Sequence, residues 1–349
     1  MRIAVIGGGI LGASVAWHLG QGGAAVTVFA GPAPGATAGS FAWINASWGN
    51  DAAYRRLRMA SMALWPALGA AVPGVQYRRT GGLLWDLPEA ELRAFAAEAA
   101  AEGYPVSLVG EDEARAREPV LRDPPALALL APDEGMAEPG APGALLAASE
   151  AFWGARLVSA EARPVEHAGR AAVRLGGETL AFDAVVLAAG VASAPLVAPL
   201  GLALAMTAPL GFLAWSNPVA PCLTGLVLTP EFHLRQTPGG RLVLGEDYAG
   251  TDPGRDVEGA ARALLALAAT RLTLRAPVFS HATLAARPTP GDGRPAVGAL
   301  PVPGLWLALS HSGVTLAPAI GAFLAAEILA GRRESLLAPY APGRVLQSA

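Results

Sequence analysis

Three glycines near the N-terminus have the spacing of a phosphate-binding turn. Gly7, Gly9 and Gly12 form a G-x-G-x-x-G pattern between "RIAVIG", which predicts a buried strand, and "ASVAWHLGQGG", which predicts a helix. A second predicted strand, "AAVTVF", follows. In this setting the first glycine permits a tight turn, the second lets the backbone approach a pyrophosphate, and the third lets helix and strand pack closely. The helix N-terminus presents unpaired N–H groups to the phosphates, so the sequence predicts a dinucleotide site.

The second strand lacks the acidic residue that usually completes this motif. An Asp or Glu there binds the ribose hydroxyls, but the sequence continues "VTVFAGPAPG" with Ala30 in that place. No arginine nearby serves a 2′-phosphate, and the first acidic residue of the chain is Asp51. Losing one charge-assisted hydrogen bond costs about 1.5–3 kcal/mol, which weakens a tight site by roughly one to two orders of magnitude. We therefore expect the cofactor to bind more weakly than usual, and Ala30→Glu to tighten it.

Composition excludes several other kinds of site. All 25 basic residues are arginine, so the chain has no phosphate-binding, Schiff-base or catalytic lysine. The single Cys222 excludes an intrachain disulfide and a cysteine metal cluster. The five histidines are scattered without ligand spacing, so we expect no metal site. A formal net charge of −3 gives no reason to expect a nucleic-acid partner, which needs a basic face.

The apolar segments predict buried strands and no membrane span. Residues 184–230 carry no charged side chain, but glycines and prolines divide them into strand-length pieces. A membrane-spanning helix needs about 20 mostly apolar residues. No secretory signal precedes the first strand, so we expect a cytoplasmic location and no transmembrane segment.

Later segments complete a family pattern. "ARPVEHAGRAAVRLGGETLAFDAVVLAAGVAS" predicts a β-meander ending in a buried strand, "SFAWINA" spans 40–46, and "SHSGVTLAP" begins an apolar helix over 313–331. With the glycine turn, and in this order, they make the whole chain resemble the D-amino-acid-oxidase-like superfamily of FAD enzymes, which includes glycine oxidase, sarcosine oxidase and D-amino acid dehydrogenase. The resemblance implies an α/β fold: a Rossmann-like FAD-binding domain of glutathione-reductase type with an inserted α+β substrate lobe that carries an antiparallel sheet.

The resemblance also implies non-covalent FAD, held by several separate segments. Ser40 would bond the phosphates, and the last helix would point its positive end at the flavin pyrimidine edge, which favours reduction. Ordinary core packing is the alternative role for Trp43 and Ile44. The full set of implied contacts is Gly7, Gly9, Ile10, Leu11, Gly12, Ser40, Trp43, Ile44, Asn45, Val165 (against adenine), Ala188, Ala189, Gly190, Ser312, Gly313, Val314 and Thr315.

Arg287 is the leading catalytic candidate. The resemblance places it against the carboxylate of an amino-acid substrate, which a guanidinium binds bidentately at all working pH values. The alternative is a structural salt bridge, for which Asp292 is the candidate partner. Asn45 and Tyr248 are candidates to hold the substrate amine. His311 either hydrogen-bonds flavin or ligand, or only caps its turn.

The implied reaction is oxidation of the C–N bond of a small amino acid or secondary amine by hydride transfer to flavin N5, giving an imine that hydrolyses. The partners are that substrate and an electron acceptor, which is a quinone, another electron carrier or oxygen. Because the chain has no lysine to assist oxygen, we expect a dehydrogenase in preference to an oxidase. The alternative is a flavin-fold protein with weakened or lost cofactor binding that acts as a non-catalytic binding or scaffold subunit. Homo- or hetero-oligomers stay open.

The remaining patterns predict how the chain is divided. Residues 1–75, 138–205 and 280–349 are expected to form the FAD-binding domain, and residues 76–137 and 206–279 the substrate lobe. "NDAAYRRLRMASMALWPAL" predicts an amphipathic helix that Asp51 begins. Successive antiparallel strands are predicted over 209–248, with "TPGGR" as a hairpin turn. On one of them His233 and Arg235 share a face, so both are candidates to face the pocket.

Overall fold

The computed structural model describes residues 1–32, 35–48, 50–246, 254, 256–274 and 276–348. In this part of the chain the helices are α1 Ile10–Gln21, α2 Ala52–Ala71, α3 Glu89–Ala101, α4 Glu111–Arg117, α5 Ala141–Trp153, α6 Ser193–Val197, α7 Val257–Arg271 and α8 Gly313–Ala330. The strands are β1 Arg2–Ile6, β2 Ala25–Phe29, β3 Trp43–Ile44, β4 Gly82–Leu84, β5 Ser107–Gly110, β6 Leu127–Ala131, β7 Gly135–Met136, β8 Arg156–Val158, β9 Ala162–His167, β10 Arg170–Leu175, β11 Glu178–Ala181, β12 Ala184–Leu187, β13 Leu202–Leu204, β14 Met206–Thr207, β15 Leu210–Pro218, β16 Leu226–Leu228, β17 His233–Gln236, β18 Arg241–Gly245, β19 Phe279–Ala286, β20 Thr289–Pro290, β21 Ala296–Ala299, β22 Leu305–Leu309 and β23 Leu346–Ser348.

The opening strand lies inside a largely parallel sheet. Its order is β21-β22-β12-β1-β2-β8, and only β21 runs antiparallel to its neighbour. Side chains of β1 alternate between two cores, as the two-residue period of a strand requires. Ile3 and Val5 pack with α1 and α8, whereas Ala4 and Ile6 pack with the meander β9–β11. The predicted run of strand, glycine turn, helix and strand is thus confirmed, together with the predicted β-meander.

The last long helix, α8, is apolar except for Glu327 near its end, which pairs with Arg333. It is long and apolar enough to cross a membrane by composition, but 61% of its residues are buried inside the protein. It packs against α1 and α2, so within the described residues it is a core helix. The sequence predicted a helix over the same residues with Pro318 near its start, where a proline is tolerated, and the structure agrees.

A second, larger sheet forms the lobe. In the described part of the chain its order is β19-β15-β18-β17-β16-β4-β6-β5, antiparallel except where β4 and β16 run parallel. The hairpin predicted at "TPGGR" joins β17 to β18. The helix predicted after Asp51 is α2, and the Asp51 carboxylate accepts the backbone N–H of Tyr54 at 2.8 Å.

The predicted fold class is confirmed: a Rossmann-like parallel sheet with an added lobe that carries a mainly antiparallel sheet. The domain boundaries stay a prediction. One strand bears on them, because β19 falls largely in the range assigned to the cofactor domain yet pairs with β15 of the lobe sheet.

Candidate functional site

A cavity of about 1120 Å³ opens where the carboxyl ends of β1, β2 and β12 meet the lobe sheet and the start of α8. Pockets for small ligands usually enclose about 300–1000 Å³. Ligands of open α/β sheets bind at the carboxyl ends of the strands, so this is the expected place for a nucleotide. The cavity therefore has room for a large cofactor together with a small substrate.

The glycine turn forms one wall of the cavity. Gly7 has a φ of +117°, and a Cβ on it would lie 2.3 Å from the carbonyl oxygen of Ala188. A Cβ on Gly12 would lie 2.0 Å from the carbonyl oxygen of Gly7, so Gly12 packs against the turn and does not line the cavity. A Cβ on Gly9 meets only Thr37 Oγ1, at 3.7 Å, so the space beside Gly9 belongs to the cavity. Ile10 and Leu11 line the wall beside it.

The N-terminus of α1 points its unpaired N–H groups toward this wall. Its first residue follows Gly9, which has no side chain to cap the helix. The Thr37 hydroxyl accepts the Ile10 N–H at 3.2 Å, and Thr37 itself lines the cavity. Since the helix begins without an acidic residue in its first turn, its positive end is available to an anion.

The segment "SFAWINA" divides between the cavity and the core. Ser40 lines the cavity, and its hydroxyl accepts the Ala42 N–H at 2.9 Å. Trp43 and Asn45 line the cavity as predicted, but Ile44 does not and is 1% exposed. Trp43 and Ile44 are successive residues of β3, so their side chains point to opposite sides. Ile44 is thus a core residue, whereas Trp43 both belongs to the same core cluster and lines the cavity.

Behind Trp43 lies a fully buried carboxyl, Glu134. It accepts the Trp43 indole N–H at 2.7 Å, the Tyr104 hydroxyl at 2.5 Å, and the Ser47 hydroxyl. Burial raises the pKa of Glu134 to about 7, although the three donors and the nearby Arg58 charge act in the opposite direction. Glu134 therefore holds Trp43 and Ser47 in the cavity wall from behind.

Arg58, on α2, connects two walls of the cavity. It is 6% exposed, and its Nε donates to the carbonyl oxygen of Asn45 at 2.9 Å. Its Nη2 donates to Asn45 Oδ1, and its Nη1 donates to Ser312 Oγ at 2.7 Å. Its guanidinium also lies over the ring of Tyr54. In the described part of the chain no carboxylate lies within ion-pair distance of Arg58, so a buried positive charge faces the cavity.

The start of α8 forms the wall next to the glycine turn, since a Cβ on Gly313 would lie 3.5 Å from Ile10 Cγ2. Ser312, Gly313, Val314 and Thr315 all line the cavity, as predicted. Ser312 occupies the N-cap position but makes no side-chain capping bond. The Thr315 hydroxyl donates to the carbonyl oxygen of Trp43 at 3.0 Å, which ties this helix to β3. His311 lines the cavity one residue before Ser312, the N-cap residue of α8.

Arg287 also lines the cavity. Its backbone N–H donates to the carbonyl oxygen of Pro209 at 2.8 Å, and a Cβ on Gly211 would lie 2.6 Å from its Nε. Asp292, the alternative partner for its guanidinium, is bound by Arg344 at 2.7 Å. The buried His233 has its pKa lowered to about 3, first by desolvation and then by the Arg287 charge. His233 is therefore neutral.

Several predicted site residues lie elsewhere. Val165 does not line the cavity. The same segment contributes residues 160–162 to the wall instead, just before and at the start of β9. Ala188, Ala189 and Gly190 do line it. His233 and Arg235 share a buried face, as predicted, but neither lines the cavity. Tyr248 lies outside the described residues, and among those residues no cluster suited to a metal ion is found.

Four residues of the site were missed from the sequence: Thr37, Arg58, Glu134 and Glu161. Only Arg58 had a usable signal. Arg58 follows Tyr54 by four residues and precedes Trp65 by seven, and all three lie on the buried face of α2. A cation in the apolar stripe of a helix indicates a partner inside the protein. The others depend on contacts between distant segments, which no local pattern encodes.

Comparison with known proteins agrees with this geometry. A family model described as FAD dependent oxidoreductase matches residues 2–327. Glycine oxidase from Geobacillus kaustophilus is 26% identical with a TM-score of 0.86, covering 97% of this chain and 98% of that chain. Iminodiacetate oxidase from Chelativorans sp. BNC1 is 24% identical with a TM-score of 0.85, covering 98% and 99%. L-proline dehydrogenase from P. horikoshii is 22% identical with a TM-score of 0.85, covering 98% and 97%. A comparison with curated protein sequences finds no match.

The described residues fit FAD. The glycine turn leaves the backbone open beside Gly9, where a pyrophosphate needs close approach. The N-termini of α1 and α8, neither capped by the side chain of its own N-cap residue, lie side by side in the cavity wall, and Arg58 adds a buried positive charge at the second. Phosphates suit the first of these ends, and the flavin edge that becomes anionic on reduction suits the second.

Proposed function

The chain belongs to the family of FAD-dependent oxidoreductases, and within it we propose that the substrate is a small amino acid or a secondary amine that carries a carboxylate. The observation that carries the proposal is the presence of Arg287 among the residues of the cavity wall. Glycine, iminodiacetate and L-proline, which name three of the similar structures, each carry a carboxylate beside an amine nitrogen. The substrate itself is assigned here by this chemistry alone.

FAD, held non-covalently, supplies an acceptor for the hydride that leaves the substrate carbon when the C–N bond is oxidised. Arg287 binds the carboxylate with a fork of two N–H donors and so fixes the other end of the substrate. Trp43, whose indole N–H donates to Glu134, forms part of the cavity wall. His311 serves as a hydrogen-bonding group for ligand at the start of α8.

Asn45 has a structural task beside its predicted role in holding the substrate amine. Both of its oxygens accept hydrogen bonds from Arg58, and the residue is 5% exposed. The part of its side chain that Arg58 does not engage is the amide NH₂, a donor that could bind the lone pair of a neutral amine. Asn45 positions the wall and keeps the Arg58 charge in place.

The non-catalytic alternative is less well supported. A scaffold protein has no need of an arginine, a histidine and two uncapped helix N-termini around one cavity. The missing acidic residue at Ala30 was the observation that favoured that alternative, and a carboxylate elsewhere in the cavity is considered below.

For the electron acceptor we propose a quinone or another carrier in preference to oxygen, because the chain has no lysine to stabilise superoxide as it forms. The test is re-oxidation of substrate-reduced protein by air-saturated buffer beside a quinone or dye. The proposal predicts faster re-oxidation by the dye. Fast re-oxidation by oxygen with stoichiometric peroxide contradicts it.

The substrate proposal is tested with pairs of amines that differ only in the carboxylate. Arg287→Ala should cost about 2–5 kcal/mol in kcat/KM for the carboxylate-bearing member, and Arg287→Lys should also be poor because a point charge does not reproduce the fork. Neither variant should change kcat/KM for the amine that lacks the carboxylate. Arg122→Ala, at an exposed arginine outside the cavity wall, is the matched control. Equal losses for both members, or no loss for either, contradict the role of Arg287.

A further inference from the structure

The end of β2 has a neighbour that the sequence does not reveal. Strand β8 pairs in parallel with β2, with Phe29 opposite Val158. The Ala30 N–H then donates to the carbonyl oxygen of Val158 at 3.0 Å. Because parallel strands end at the same edge of a sheet, the residues after β8 leave it beside Ala30.

One of these residues is Glu161. A Cβ built on Gly31 would lie 3.4 Å from the Glu161 Cγ, so the two residues are in contact range. Ala30, Gly31 and Glu161 all line the cavity. The Glu161 side chain therefore lies in the cavity wall beside Gly31, one residue after the position of the motif's acidic residue, and it follows the adjacent strand β8.

Glu161 is also chemically available. Of the described residues that line the cavity, only Asp292 and Glu161 are acidic, and Asp292 is bound by Arg344 at 2.7 Å. Within the described residues the Glu161 carboxylate has no hydrogen bond and no ion pair, and the side chain is exposed to the cavity. A carboxylate that lines a nucleotide cavity without a protein partner is placed to accept hydrogen bonds from a ligand.

We propose that Glu161 accepts the ribose hydroxyls of the adenosine half of FAD, in place of the missing acidic residue at position 30. Gly31 keeps this space open, since a Cβ there would already be in van der Waals contact with the Glu161 methylene. The proposal rests on FAD as the cofactor, but not on the substrate. Its test needs no turnover, so its failure leaves the proposed reaction untouched.

The test is fluorescence titration of the full-length protein, stripped of flavin, with FAD and separately with FMN, which lacks the adenosine half. Glu161→Gln should weaken FAD binding by about tenfold to a hundredfold, the range of one charge-assisted hydrogen bond, and leave FMN binding unchanged. Glu166→Gln, at an exposed glutamate on β9 outside the cavity wall, is the control and should leave both constants unchanged.

A second substitution, at position 30, tests whether the FAD affinity lost in Glu161→Gln can be restored. Ala30→Glu in the Glu161→Gln background should restore FAD affinity, because one carboxylate is again present. In the wild-type background the same change should gain little or weaken binding, since two carboxylates would share one ribose site. This replaces the expectation that Ala30→Glu simply tightens FAD. Unchanged FAD affinity in Glu161→Gln, or equal weakening of FAD and FMN, overturns the proposal.

Discussion

The two ends of the cavity hold their charged groups in opposite ways. At the α8 end, formed by Trp43, Asn45, Arg58 and Ser312, the charge is buried and bonded to other protein groups. At the β2 end, formed by Ala30, Gly31 and Glu161, the carboxylate is exposed and has no partner among the described residues. The fold alone fixes the hydrogen bonds at the α8 end. At the β2 end, our proposal is that the carboxylate gains its hydrogen bonds when a ligand binds. Changes at the α8 end should therefore alter stability, and changes at the β2 end should alter cofactor affinity alone.

The largest effect is expected at Arg58. Arg58→Met removes the donors to both oxygens of Asn45 and to Ser312, which leaves buried acceptors unsatisfied. We expect the free energy of unfolding to fall by about 2–5 kcal/mol, measured by urea denaturation without flavin. Arg56→Met, at an exposed arginine on the same helix, should change it by less than about 0.5 kcal/mol. Equal stability of the two variants would show that the α8 end is not preorganised in this way.

The next effect concerns pH and Glu134. Because burial raises its pKa from 4.5 to about 7, the folded protein keeps a proton there that the unfolded chain releases. The stabilisation is complete below pH 4.5 and is lost as the pH rises through about 7. Relative to Glu134→Gln, the wild type should lose on the order of 3 kcal/mol over this range.

This difference is measured by urea unfolding of both proteins across the pH range. Asp86, whose pKa burial raises to about 6, contributes equally to both and cancels. Glu166→Gln is the exposed control and should follow the wild type at every pH. A wild-type-minus-variant difference that stays constant with pH contradicts the predicted protonation of Glu134.

A smaller effect on stability is expected in the glycine turn, where a substitution should weaken cofactor binding with little change in folding. In Gly9→Ala the added methyl meets only Thr37 Oγ1 at 3.7 Å, so stability without flavin should change by less than about 1 kcal/mol. The methyl occupies space that a pyrophosphate needs, so FAD binding should weaken at least about tenfold. Gly177→Ala, at a glycine outside the cavity wall with open space around it, is the control. Unchanged FAD affinity in Gly9→Ala would place the phosphates elsewhere.

Local patterns predicted the parts of the site that are local. The glycine turn, the start of α8 and the hairpin between β17 and β18 each depend on a few consecutive residues, and all three were predicted. Ile44 and Val165 do not line the cavity, because the sequence shows neither which way a side chain of a short strand points nor which residues of a segment reach the wall. Glu161 and Glu134 could not be predicted, since each meets its neighbours only after strands far apart in sequence have paired. Location in the cytoplasm and the domain boundaries stay predictions.

The central claim is that the cavity oxidises an amine whose carboxylate Arg287 binds. The most direct test mixes the FAD-loaded protein, without oxygen, with small amino acids and with the matching amines that lack the carboxylate, and follows the absorption of oxidised flavin. The account predicts that the absorption bleaches with at least one carboxylate-bearing amine and at least about a hundredfold more slowly with its partner. No bleaching with any amino acid or amine, or equal rates within each pair, would contradict it.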